Sequence, residues 1–361
     1  IDSEGKEAMY GEVYFLRAYY YFELVKFFGD VPLFTEARLT AGQAGTLTRT
    51  PKDEVYAQIE LDLQNAIASL PNSQSQVGRV NKYTAYALLG KVLLYQDKFA
   101  EAASALDNVI GVYSLVSDYG SQFLRFGENG PESVFEIQYS NQSNWYDWGC
   151  AHCSEGNYAI IMNGPRGWSG PEYAQGWSFN VPTEEFYNSF EEGDSRRDAT
   201  VLDIEAFAAA TGASYTEGYD HTGYFNNKYI PRAGESGGQT ELNYLTNFRI
   251  IRYSDVLLMA AEAYNRGGID DGLAQEFLNQ VRRRAFGGDD NDISASGSAL
   301  TDAIWEERKF ELSLEGHRFF DLVRTGRASS LIAGFVEGKH EVFPIPQQEV
   351  DISGLTQNAG Y

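Results

Sequence analysis

The pair Leu89-Gly90, set inside an otherwise apolar helical stretch, restricts the fold more than any other feature of the chain. Tyr86, Leu89, Gly90 and Leu93 recur at helical spacing, and Ala102, Leu106 and Val109 do so a short turn later. Glycine in a helix interior costs about 1 kcal/mol relative to alanine. Its place here is explained if a second helix comes too close for a side chain. Residues Asn81 to Gly111 therefore read as two short helices in a hairpin. A similar pattern, one residue out of register, returns at Leu257, Ala260, Ala261 and Tyr264, followed by Ala274, Leu278 and Val281.

A bulky residue, Leu-Gly and a later small residue is the spacing of a tetratricopeptide unit. The two copies lie far apart in sequence, which argues against a simple solenoid. Other helices surround them. Tyr10 to Phe28 is rich in aromatic and aliphatic residues and stops at Gly29, with Pro32 just beyond. A second helix is expected from Thr50-Pro51-Lys52-Asp53, with Thr50 as its cap and Pro51 in its first turn. Val55, Ile59, Leu63, Ile67 and Leu70 form its apolar face. A further helix is expected over Thr301 to Val323, with Glu307 and Glu311, Arg308 and Glu311, and Glu315 and Arg318 as helical neighbours. Phe343-Pro344-Ile345-Pro346 has to be extended.

Between the helical parts the pattern changes. Ser133 to Tyr139 alternates like a strand. Ser140 to Trp177 is rich in Gly, Asn and Ser and carries every tryptophan except Trp305, and Thr211 to Glu241 is also loop-rich. The fold class read from this is mainly α: tetratricopeptide-like helix pairs with a long loop-rich insertion carrying minor β structure. The helical scaffold spans about 9–115 and 245–330, the loop-rich ligand region about 120–245, and the extended C-terminal segment 338–361. A helical scaffold broken by aromatic loops places function in the loops.

Charge narrows the partners. With 28 basic and 51 acidic side chains the formal charge is -23, which repels phosphate backbones and anionic lipid headgroups. Nucleic acid is therefore not expected. A neutral ligand such as a sugar suits the surface, and calcium would be tolerated. No apolar run is long enough for a membrane-spanning helix. Cys150 and Cys153 read as a local disulfide or inert thiols, because zinc would need two further ligands and the four histidines are scattered. No cofactor or metal site is expected. Gly287 to Asp292 reads as a flexible acidic loop that lacks the EF-hand pattern.

The expected ligand residues are Asn144, Trp145, Tyr146 and Trp148, with Arg166 and Trp168. An exposed indole can stack on the apolar face of a pyranose while Asn and Arg hydrogen-bond its hydroxyls. Each ring can equally plug its loop onto the core. Trp177 is expected to be structural and Trp305 to lie in the core. No catalytic constellation is expected. There is no His-Glu-x-x-His, Gly234 to Gly238 lacks the strand–turn–helix context of a nucleophile elbow, and Glu184, Glu185, Glu191 and Glu192 read as a solvated face.

Several blocks carry a resemblance. Phe15-Leu16-Arg17-Ala18-Tyr19-Tyr20-Tyr21-Phe22 with Phe28-Gly29-Asp30-Val31-Pro32-Leu33, and Ile251-Arg252-Tyr253-Ser254-Asp255 running on to Ala263, resemble the SusD/RagB-like family of outer-membrane nutrient-binding lipoproteins. Glu315-Gly316-His317-Arg318, Asp321 to Gly326 and Pro344-Ile345-Pro346 are similar to that family's C-terminal signature. The ending Gln357-Asn358-Ala359-Gly360-Tyr361 departs from it at Ala359, where the family has proline. Asn180-Val181-Pro182-Thr183 and Glu192 to Asp198 add a match in mid-chain.

The resemblance covers the chain in order and implies one such domain over 1–361. It also implies non-catalytic binding of an oligo- or polysaccharide, or in some members a peptide, over a SusC-like TonB-dependent transporter. The expected setting is the outer-membrane surface of a Bacteroidetes-type bacterium. Family members carry a leader and a lipid-bearing cysteine before the first block, so a lipid anchor is expected upstream of Ile1. A glycoside hydrolase and a tetratricopeptide-type interaction scaffold are the competing readings. The charged residues of the blocks, among them Arg17, Asp30, Arg252, Asp255, Arg308, Asp321 and Arg324, read as ion pairs between packed helices.

Overall fold

The structure is a computed structural model that describes residues 3–36, 38–142, 154–236 and 243–361. Two compact units arise, one from Ile1–Val109 with His317–Tyr361 and one from Ile110–Gly316.

In the first unit the helix Ser3–Phe28 packs along the helix Lys52–Ser69. Phe15, Ala18, Phe22 and Val25 form one buried stripe, and Val55, Ile59, Leu63 and Ala66 the other. Gly11 permits the approach, since a Cβ there would meet Leu70 Cγ at 2.8 Å. Arg17 grips Asp62 with two hydrogen bonds of 2.7 and 2.6 Å, the bidentate geometry that favours guanidinium over ammonium. Thr50 does not cap the helix Lys52–Ser69, because its backbone is engaged with Val31 at 3.3 and 2.9 Å. The Lys52 amide instead donates to Asp30 Oδ1 at 2.8 Å, so the family-like Asp30 acts as the cap from an earlier segment.

The helices Lys82–Leu94 and Phe99–Asp107 form the expected hairpin. Gly90 is where they touch, as a Cβ there would lie 2.5 Å from Leu106 Cγ. The segment Phe343 to Pro346 is extended. It is tied down by the Phe343 amide on Phe27 O at 2.7 Å and by Asn358 Nδ2, which donates to Phe343 O at 2.7 Å.

In the second unit the strand Ser133–Ile137 pairs antiparallel with Phe248–Arg252, Phe135 lying opposite Ile251. The chain runs from there into the helix Tyr253–Arg266, which forms the second hairpin with Asp271–Phe286 and packs on Gly297–Glu311. Tyr253–Arg266 is buried almost all round, as a core helix must be when flanked on every side. Minor β structure completes the unit: Arg166–Ser169 pairs with Ser214–Thr216, and Val201–Asp203 with Tyr224–Asn226.

A charged centre joins these elements. Arg252 reaches Glu132 at 2.7 Å and Glu311 and Glu315 at 2.8 Å. Arg196 binds Asp194, Glu307 and Glu311, and Arg284 binds Glu311 at 2.6 Å. Burial alone would raise the Glu311 carboxyl, but Arg284, Arg252 and Arg196 hold it well below the usual carboxylate range. The carboxylates expected to pair along one helix thus serve arginines from other segments.

The helix expected over Thr301 to Val323 is broken. Gly297–Glu311 ends in a turn with Leu314 at φ 63° and Gly316 at φ 84°, and a new helix Arg318–Arg324 follows. A left-handed leucine is costly by about 1–2 kcal/mol. Its neighbours are pinned by Lys228, whose Nζ donates to Ser313 O at 2.8 Å, Glu311 O at 3.1 Å and Glu315 Oε1 at 2.8 Å.

Burial pushes the Lys228 ammonium down from its ordinary 10.5 to about 8, with Glu315 pulling the other way. Between those values the unfolded chain holds this proton and the folded chain has released it, so this group's contribution to stability rises with pH. Native protein should therefore gain stability relative to Lys228→Met between about pH 8 and 10.5, as read from paired thermal melts. A difference that stays flat across that range would put the Lys228 pKa back at its ordinary value.

Candidate functional site

The loop-rich part of the second unit builds a small pocket from tightly apposed backbone. The Ser140 amide donates to Glu155 O at 2.9 Å, and the Asn157 amide donates to Tyr244 O at 2.8 Å. The short helix Ala159–Asn163 follows, and the chain then returns alongside it. Amides of Gly176, Trp177, Ser178 and Phe179 donate to carbonyls of Pro165, Ile161, Gly164 and Met162, all within 2.8–2.9 Å. Such closeness needs glycine on both sides, since a Cβ on Gly176 would lie 2.4 Å from Gly164 Cα.

The pocket encloses about 310 Å³. Met162, Phe179, Tyr229 and Phe248 give it apolar walls, Leu314 and Gly316 a floor from the strained turn, and Asn157, Asn163, Asn180 and Asn226 its polar groups. No charged side chain lines it among the described residues. Tyr229 and Phe248 stack with centroids 4.8 Å apart. Asn226 Oδ1 accepts the amides of Lys228 at 3.0 Å and Tyr229 at 3.2 Å, and Asn163 Nδ2 donates to Tyr229 O at 3.0 Å. The remaining atoms, Asn226 Nδ2 and Asn163 Oδ1, have no hydrogen-bond partner among the described residues.

Phe179 stands at the rim, 51% exposed. Trp177 meets it edge-on at 6.2 Å, and the Arg166 guanidinium lies 5.9 Å from its ring centre. Arg166 Nε is used by Trp177 O at 2.8 Å, so this exposed arginine braces the rim. Ser178 and Asn180, either side of Phe179, adopt φ of 57° and 53°. Asparagine tolerates that conformation well and serine less so. Tyr158 is exposed nearby in sequence, and the Tyr139 hydroxyl is pushed up by burial first and by Tyr158 second.

The expected ligand residues divide sharply. Asn144, Trp145, Tyr146 and Trp148, with Cys150 and Cys153, lie outside the described residues. Trp168 is 9% exposed and sits in a cluster with Tyr173, Leu202, Ile204, Phe225 and Ile230. Tyr173 and Phe207 each lie 5.9 Å from its ring. This burial favours the plug over the exposed platform. Trp177 is half-buried against the cluster of Tyr119, Phe123 and Ile160. Trp305 departs from the core position expected of it: it is half-buried, with the Arg266 guanidinium 5.5 Å from its ring centre.

The residues missed from sequence are Phe179, Asn163 and Asn226. The one available signal was Phe179-Asn180, an aromatic–amide pair directly before the Val181-Pro182-Thr183 block. In the acidic loop Gly287 to Asp292, Asp292 is engaged by Arg283 at 2.5 Å. Among the described residues no group of three or more His, Cys, Asp or Glu stands at metal-holding spacing.

The chain can now be set beside known proteins. The family model described as the SusD family matches residues 203–334, and one described as starch-binding associating with outer membrane matches residues 2–94. SusD-like protein P2 of Formosa agariphila is 30% identical over 392 residues, covering 100% of this chain and 75% of that one. The chain belongs to the SusD family. Among solved structures, a laminarin binding SusD-like protein shares 39% identity at a TM-score of 0.90, over 100% of this chain and 80% of that one. Surface glycan-binding protein A from Bacteroides thetaiotaomicron in complex with laminarihexaose shares 30% identity at a TM-score of 0.88, over 99% and 79% of the two chains.

Proposed function

We propose that this chain binds a neutral glucan of the laminarin kind at the outer-membrane surface, without cleaving it, and presents it to a SusC-like TonB-dependent transporter. The observation that carries the reading is its 39% identity and TM-score of 0.90, over its whole length, to a laminarin binding SusD-like protein. The outer-membrane placement is supported by the description of the family model on residues 2–94, and a lipid anchor upstream would hold it there. Trp145 and Trp148, helped by Asn144 and Tyr146, supply the stacking faces. Arg166 and Trp168 hold the neighbouring loop, the first by bracing Phe179 and the second from within the core.

A neutral ligand agrees with the charge of -23, which would repel sulfated or uronate-rich glycans at low salt. The exposed Glu184 and Glu185 lie one after the other on a short surface helix rather than facing each other across a cleft, as hydrolysis requires. The experiment is affinity electrophoresis and calorimetry against laminarin and laminarihexaose, followed by assay for new reducing ends. Saturable binding with an unchanged oligosaccharide is expected. Release of reducing ends that a single carboxylate substitution abolishes would make the protein a hydrolase, and failure to bind any laminarin oligomer would remove the proposed ligand.

A further inference from the structure

We infer that the pocket between Phe179 and the turn at Leu314 is a subsite for one uncharged pyranose ring, which rests on the glucan-binding reading and specifies where one unit of the glucan is read. Its volume of about 310 Å³ is at the small end of ligand pockets, which run roughly 300–1,000 Å³. That suits a single ring, not a chain segment. The walls match a pyranose in kind: flat apolar carbon from Phe179, Phe248 and Tyr229 for its C–H face, and amides at the edge for its hydroxyls.

Two unspent polar atoms strengthen the assignment. Asn226 is 1% exposed and Asn163 9%, yet Asn226 Nδ2 and Asn163 Oδ1 are without partners among the described residues. One donor and one acceptor on residues lining the same pocket are what hydroxyl groups, themselves donors and acceptors, can satisfy. The backbone supplies a third observation. Ser178, Asn180 and Leu314 are non-glycine residues at positive φ, and they flank or line this pocket. Strain of this sort persists where the surroundings over-determine the geometry, and it gathers at binding sites. Lys228 supplies that determination for Leu314 through its bonds to the Glu311 and Ser313 carbonyls before it and to the Glu315 carboxylate after it.

Selectivity follows from what the lining contains. A uronate or sulfate ester would lose its hydration there with no cation in the wall to replace it. The penalty is local, so salt should not remove it, whereas long-range repulsion from the acidic surface is screened within about 10 Å at 0.1 M ionic strength.

The test is calorimetry with laminarihexaose on the native chain and on two variants chosen for exposed positions. Phe179→Ala removes the stacking ring, and Ala159→Trp fills the pocket from its rim. Both should melt as the native chain does; Phe179→Ala should bind roughly three- to tenfold more weakly, and Ala159→Trp more weakly still. A laminarihexaose oxidised to uronate should compete at least about tenfold less well against native protein, at both 0.1 and about 0.5 M salt. Native affinity in both folded variants, with binding still lost in Trp145→Ala, would overturn the subsite while leaving glucan binding intact. So would a uronate penalty that disappears in salt. If the native chain binds no laminarin oligomer, the functional reading falls and the subsite with it.

Discussion

Arg252→Met is expected to be among the most damaging single substitutions in the second unit, costing about 3–5 kcal/mol. Arg252 is 2% exposed and bonds carboxylates from three places: Glu132 beside the strand Ser133–Ile137, Glu311 at the end of a helix and Glu315 in the following turn. Methionine fills similar space but leaves those carboxylates short of a cation in a medium that solvates charge poorly. Arg284 still reaches Glu132 and Glu311, and Lys228 still reaches Glu315 at 2.8 Å, so each carboxylate keeps one cation but loses another. Pairing the change with Glu315→Met should restore only part of the loss, because it removes a partner that Arg252 has left but also takes the carboxylate away from Lys228. Urea titration of the native chain and the two variants decides it. A loss under about 1 kcal/mol for Arg252→Met would mean that the network contributes little to holding the unit together.

This centre shows how far the residues alone lead. The pairing of buried family-block charges was legible, because so many fixed charges on apolar helices have to find partners. Which partner each takes was not. Glu307, Glu311 and Arg308 fall at neighbour spacings on one helix, yet Glu311 serves Arg196, Arg252 and Arg284, and Arg308 serves Asp255. Spacing along a helix describes who is near in an isolated helix, and tertiary contacts outbid it.

The break after Glu311 was hidden for the same reason. Leucine is a good helix former, and Leu314 is left-handed because its neighbours are bonded to Lys228 from 85 residues away in sequence. The hairpins, by contrast, were legible through Gly90, since only close helix contact explains a glycine at that position. At the site, burial could not be read from composition. Trp168 and Phe179 both lie in Gly- and Ser-containing stretches of sequence, yet the tryptophan is 9% exposed and the phenylalanine 51%.

That contrast separates two kinds of aromatic loss, and the largest expected effect on binding follows from it. The double variant Trp145→Ala/Trp148→Ala should bind laminarihexaose more than about a hundredfold more weakly than native protein, with its melting temperature little changed. The magnitude follows from two rings, each contributing about 0.5–1.5 kcal/mol by geometry in addition to the apolar area it buries on the sugar. Trp168→Ala should behave in the opposite way. Its ring is enclosed by Tyr173, Phe207 and the cluster of Leu202, Ile204 and Phe225, so truncation opens a cavity at about 3–5 kcal/mol. Protein that remains folded should keep much of its affinity per molecule. Calorimetry normalised to the folded fraction, with melts on the same samples, distinguishes loss of contact from loss of fold. Should the double variant bind as the native chain does, the stacking platform cannot be at Trp145 and Trp148, and the rings around Phe179 would be left to carry the glucan. A Trp168→Ala protein that melts normally but no longer binds would instead return the platform to Trp168, and the burial of its ring would then have to be relieved when the sugar arrives.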